Sequence, residues 1–154
     1  MKTINKELEK WDHHFMKLAE HVSDWSKDPK AKVGAVVVDS RKRPVGLGFN
    51  GFPYGVHDDE GKLNNGDLKN EMVVHAEVNA ILTAGTSAKD GTIYVYGKPI
   101  CAQCAGIIIQ SGIKRIVAES PESSSSKSKW GRKGKIAKDM FQEAKIKIDF
   151  YKED

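Results

Sequence analysis

The feature that most restricts the fold of this 154-residue chain is an alternation that begins at Val33, where short β-branched runs take turns with stretches of helical character. Val33-Gly-Ala-Val-Val-Val38 predicts a buried strand, Ser40 to Pro44 supplies turn chemistry, and Val45, Leu47 and Phe49 alternate as the second arm of a hairpin. A helix is expected from near His75, through Val78, Ile81 and Leu82, to Gly85, followed by a strand at Thr92 to Tyr96. A second helix is expected from Cys101 to about Ser111, closed by Gly112, and then a strand at Ile113 to Ala118. Lys135 to Ala144 reads as a short helix and Ile146 to Phe150 as the last strand. This order calls for an α/β fold: a mixed sheet of about five strands, its later members parallel, sandwiched between helices.

Ahead of the hairpin, Leu8, Trp11, Phe15, Leu18, Val22 and Trp25 recur at steps of three and four. That spacing predicts an amphipathic helix over residues 7–26, stopped by Asp28-Pro29, with its aromatic residues in the core. Asn50 to Asn70 is rich in Gly, Asn, Asp and Pro and reads as a long loop of the functional kind. The length fits one domain, residues 1–154, with a basic Ser/Lys-rich loop at about 119–135.

Hydrophobic residues at 39% and charged residues at 30% exclude a disordered or collagen-like chain. No stretch approaches the roughly 20 apolar residues of a membrane span, and the charged start is unlike a signal peptide, so a cytoplasmic protein is expected. The net charge of +4 is local: Lys127, Lys129, Arg132, Lys133, Lys135 and Lys138 form a run without an acid. Such a run binds phosphate, binds nucleic acid or is a solvated face.

The chemistry sits at two expected helix starts, His75-Ala-Glu77 and Pro99-Ile-Cys101-Ala-Gln-Cys104. Taken alone, a His-x-Glu is compatible with ordinary helix-dipole placement, and a Cys-x-x-Cys with a redox pair. Together they offer one imidazole and two thiols, a donor set suited to zinc. Two sulfurs on the first turn of a helix converge, and the helix dipole favours the thiolates that metals require. Three protein ligands leave a zinc position for water, which is the catalytic rather than the structural arrangement. Glu77 is the acid expected beside that water, as a proton shuttle.

Five blocks carry a resemblance to a known family. Ser26-Lys-Asp-Pro29, Val33-Gly-Ala-Val-Val-Val38, Gly48-Phe-Asn-Gly-Phe-Pro53, His75-Ala-Glu-Val-Asn-Ala-Ile81 and Ile108-Ile-Gln-Ser-Gly-Ile113 occur in the order of the zinc-dependent cytidine and deoxycytidylate deaminase superfamily. From Trp11 to about Gly112 the chain resembles its deoxycytidylate branch. The resemblance implies a three-layer α/β/α sandwich, zinc on His75, Cys101 and Cys104, and hydrolysis of a cytosine nucleotide with Glu77 moving the protons. It implies that Asn50, otherwise a turn residue beside Gly51, hydrogen-bonds the substrate sugar, and that Asn79 supports the site. It also implies a homo-oligomer, often a hexamer, and control by deoxycytidine triphosphate.

Two positions depart from the family pattern. Ile100 stands between Pro99 and Cys101, where relatives place proline directly before the cysteine. Trp25 stands where nucleotide-type relatives often carry an arginine that contacts phosphate. Phosphate reading is therefore expected from the basic segment, with Arg132 as a bidentate contact and Trp130 stacking on the base or filling a wall. Other substrates compatible with the same zinc chemistry are a free nucleoside, a modified cytosine nucleotide, another aminated heterocycle or an RNA base. A non-catalytic zinc or nucleic-acid module is disfavoured, because it has no use for Glu77.

Overall fold

The computed structural model describes residues 8–121 and 129–151, and the side chains of 129 and 130 lie outside that description. One helix, α1 (Lys10–Ser23), precedes an antiparallel hairpin of β1 (Gly34–Val38) and β2 (Pro44–Phe49). Two short helices follow, α2 (Glu60–Asn64) and α3 (Gly66–Met72), and then α4 (Ala76–Ala84). β3 (Thr92–Tyr96), α5 (Ala102–Gln110), β4 (Arg115–Glu119), α6 (Lys129–Glu143) and β5 (Lys147–Tyr151) complete the chain. The five strands form one sheet in the order β2-β1-β3-β4-β5, antiparallel across β1 and parallel from β3 to β5. No helix among the described residues is long and apolar enough to cross a membrane.

The architecture is the expected α/β/α sandwich. One core cluster lies between the sheet and α1, around Phe15, Met16, Ala19, Val36, Val38 and Tyr94. The larger one joins the other face to α4, α5 and α6, around Val37, Ala80, Ile93, Ile108, Ile116 and Phe141. All of β1 is buried, because both its faces are covered, and each fully buried Val contributes on the order of 1.5–3 kcal/mol.

Helix α1 is shorter than the apolar spacing predicts, and its buried stripe is rotated. Asp12, Phe15, Met16, Ala19, Val22 and Ser23 are buried, whereas Trp11 and Trp25 are half exposed and not in the core. The rotation has an electrostatic cause. Asp12 is drawn under the helix by Arg115 and Tyr94, whose guanidinium and hydroxyl donate to its carboxylate at 2.6–2.8 Å.

Two glycines set how closely the layers meet. A Cβ at Gly34 would collide with the Ala19 carbonyl of α1, and one at Gly48 with the Ala76 carbonyl and Ala80 amide of α4. On β2, therefore, Gly46 and Gly48 face the helix, and the alternating Leu47 and Phe49 point outward. Gly48 lets α4 lie flush on the sheet edge, which fixes where its first turn ends up.

Asn50 to Asn70 is not a plain loop. Asp59 and Asn65, polar residues of the kind that suggests turns, are the N-caps of α2 and α3 and accept from the amides of Lys62 and Leu68. The basic segment is likewise helical from Lys129 onward, within the stretch expected as a loop at about 119–135.

Candidate functional site

The two motifs meet at the starts of α4 and α5. His75 and Cys101 are the N-cap residues, with extended backbone (ψ 152° and 165°), and Cys104 lies in the first turn of α5. His75 Nδ1 is 3.2 Å from Cys104 Sγ and 3.5 Å from Cys101 Sγ, and the three donor atoms lie within 4.8 Å of one another. Tetrahedral zinc with one nitrogen and two sulfur ligands would separate these donors by about 3.5–3.8 Å. The donor set and its spacing thus fit zinc. Ile100 does not disturb the arrangement, since it is buried and Cys101 still opens α5.

Electrostatics distinguish the two thiols. A hydrogen bond from Cys104, reinforced by one with His75, lowers Cys101 to about 4. Its bond with Cys101, together with burial, pushes Cys104 up. The bond to Cys101 raises His75.

Glu77, on the first turn of α4, is 4% exposed, and burial raises its carboxyl above the usual range. It lines a cleft of about 220 Å³ with His75, Ala76, Pro99, Asn50 and Val33. The same cleft is lined by Asp28, Lys30, Ala31, Gly66, Lys69, Asn70 and Lys98. His75 joins the donor cluster to the cleft that Glu77 lines, beyond the carboxyl end of β3, where strand ends meet helix starts.

Asn50 does more locally than its position in a turn suggests. Its Oδ1 accepts from the Val33 amide and its Nδ2 donates to the Ala31 carbonyl, both at 2.9 Å, so it splints the entry to β1. Each end of the amide keeps capacity for one further bond. The Ser26 hydroxyl donates to the Asn50 carbonyl at 2.8 Å, tying the Ser-Lys-Asp-Pro block to the same point. Asn79 lies outside the cleft and donates to the Phe49 carbonyl at 2.9 Å, so it holds α4 against the residue preceding Asn50.

Arg132 is exposed on α6 and does not line the cleft, and the side chain of Trp130 lies outside the described residues. From the same helix, Lys133 is near enough for its charge to act on His75. The cations that do line the cleft, Lys30, Lys69 and Lys98, carry no motif that marks them in the sequence. Asp28 has a sequence signal, its place in the Ser-Lys-Asp-Pro block, whereas Lys69 is brought to it only by the tertiary placement of α3.

The Asp28 carboxylate accepts from the amides of Lys30 (2.8 Å) and Ala31 (3.0 Å), and Lys69 Nζ lies 3.1 Å from both its oxygens. Burial alone would raise Asp28, but the two amides and the ammonium outweigh it and hold the carboxyl below its ordinary value.

Comparison with known proteins agrees with this geometry. Residues 9–120 match the family model of the cytidine and deoxycytidylate deaminase zinc-binding region. A deaminase of Aliivibrio fischeri, described as uncharacterized, is 39% identical over 142 residues, covering 92% of this chain and 93% of that one. Human deoxycytidylate deaminase is 41% identical over 116 residues, covering 70% of this chain, which spans 63% of that protein's length. The fold is shared with the dCMP deaminase of cyanophage S-TIM5 in complex with dCMP and dUMP, at a TM-score of 0.72 and 24% identity over 94% of this chain and all of that one. With the matched region enclosing His75, Glu77, Cys101 and Cys104, the chain belongs to the zinc-binding cytidine and deoxycytidylate deaminase family.

Proposed function

We propose that the chain hydrolyses deoxycytidylate to deoxyuridylate and ammonia. The observation that carries this reading is the convergence of His75, Cys101 and Cys104 at the cleft that Glu77 lines. It is supported by the identity to deoxycytidylate deaminases such as the human enzyme.

His75, Cys101 and Cys104 would hold the zinc. When bound, zinc is the Lewis acid that makes water nucleophilic at neutral pH. Glu77 takes the proton released as water adds to C4 of the ring and delivers it to N3, then takes the proton of the new C4 hydroxyl and delivers it to the exocyclic nitrogen, so that the C4–N bond breaks, ammonia leaves and a C4 carbonyl remains. Burial of Glu77 keeps bulk water from competing for these protons. Asn50 binds a sugar hydroxyl with its remaining donor or acceptor, and Asn79 holds α4 in place. A homo-oligomer, hexameric by family likeness, and control by deoxycytidine triphosphate belong to the same reading; nucleic acid and membrane do not.

The test is ammonia release across a panel of cytosine nucleosides and nucleotides, with sedimentation in the presence and absence of deoxycytidine triphosphate. The highest kcat/KM is expected on deoxycytidylate. A clear preference for an unphosphorylated nucleoside or another heterocycle would move the assignment within the family.

A further inference from the structure

In a cytosine nucleotide the amine at C4 and the glycosidic bond at N1 lie on opposite sides of the ring. With C4 at Glu77, the phosphate must come to rest at the other end of the cleft. Asp28 lines the cleft on the side that it shares with an adjoining hollow, which Glu77 does not line. One carboxylate there fixes the backbone of Lys30 through its amide and the ammonium of Lys69 through both oxygens. Lys69 and Asp28 also line the adjoining hollow of about 250 Å³, so they stand at the partition and not at the chemical end.

Stability gives little reason for a lysine at this point. The Lys69 side chain is 8% exposed, and a buried ion pair at best roughly offsets its desolvation. An ammonium has three N–H donors; Asp28 engages two, and a phosphate oxygen would take the third. Lys30 is exposed at the mouth and adds a positive charge that Asp28 does not pair through its side chain. Trp25, at the usual arginine position, offers an indole that cannot pair with phosphate charge, and Arg132 is not in the cleft.

We propose that Lys69, held by Asp28, and Lys30 beside it form the phosphate-reading corner of the cleft and set the preference of this chain for a nucleotide over a nucleoside. The inference rests on the deaminase reading above.

The experiment measures kcat/KM for deoxycytidylate and deoxycytidine on the same zinc-loaded preparations of wild type, Lys69→Met, Lys30→Ala and Arg132→Ala. The ratio of the two substrates cancels the active fraction, so partial misfolding of a variant does not blur it. Lys69→Met is expected to lower the nucleotide-to-nucleoside ratio about ten- to a hundredfold, and Lys30→Ala about two- to fivefold. Calorimetric binding of deoxyuridylate and deoxyuridine should follow the same pattern, whereas a merely structural clamp would weaken both alike. A wild type that prefers the nucleotide, with the ratio intact in both lysine variants or lowered only in Arg132→Ala, overturns the assignment and leaves the deaminase reading standing. Equal efficiency on both substrates in the wild type overturns the phosphate corner and the nucleotide preference together. Ammonia from neither substrate removes the deaminase reading, and the inference with it.

Discussion

Arg115 clasps Asp12 through both terminal guanidinium nitrogens, at 2.7 and 2.8 Å, across 103 residues of sequence. The same guanidinium donates to Asp149 through Nε at 2.9 Å, so α1, β4 and β5 are joined at one buried point. Asp12 would be raised by burial, but the bonds from Arg115, Tyr94 and the Glu9 amide hold it at about 2, below the unfolded value of 3.8. A depressed carboxylate stabilises the fold fully above its unfolded pKa, and that contribution is lost as the pH falls through the folded one. Stability should therefore decline between about pH 4 and pH 2, and Asp12→Asn should flatten that decline while costing about 3 kcal/mol at pH 7. Denaturant melts from pH 2 to 7 check this; identical pH profiles for wild type and variant would contradict it.

Gly48→Ala should destabilise the fold by about 1–3 kcal/mol and lower turnover as well, because the new Cβ meets the α4 backbone at Ala76, the residue between His75 and Glu77. Denaturant melts and kcat together decide it. A variant as stable and active as wild type would show that α4 is not seated through this contact.

Asn50→Ala should act twice. It leaves the Val33 amide and the Ala31 carbonyl without their side-chain partner, costing about 1–3 kcal/mol of stability, and it should raise KM for nucleosides and nucleotides alike. A fall in stability with kinetic constants unchanged for every substrate would confine Asn50 to the splint.

How much of this was legible in the sequence follows from what each signal depends on. Strands β1 and β3 and helices α4 and α5 could be read because apolar runs and helix-start chemistry are local. The cluster His75, Cys101 and Cys104 could be read because each motif fixes its own geometry and the α/β order brings the two helix starts together. The rotation of α1 could not, since Asp12 is buried for the sake of Arg115, a partner without local trace. Leu47 and Phe49 look like a core face until Gly46 and Gly48 are seen to be the side that a helix can approach. Lys69 was silent for the same reason as Asp12: its partner, Asp28, is 41 residues away. The basic run is conspicuous in composition, and of its described members Arg132 lies on an exposed helix face while Lys133 is near enough for its charge to act on His75.

Cys104→Ser should lose zinc, because a three-ligand site cannot spare a thiolate. Elemental analysis of purified protein checks the outcome, one zinc per wild-type chain and far less in the variant. Full occupancy in Cys104→Ser would remove the proposed ligand set.

The central claim is that Glu77 moves protons at a cleft whose zinc is held by other residues, and the most direct measurement is ammonia release from deoxycytidylate by Glu77→Gln alongside its zinc content. The account predicts unchanged zinc, an unchanged fold and turnover lowered by a factor on the order of 10² to 10⁴. A variant that releases ammonia at the wild-type rate, or one that loses its zinc, would contradict it.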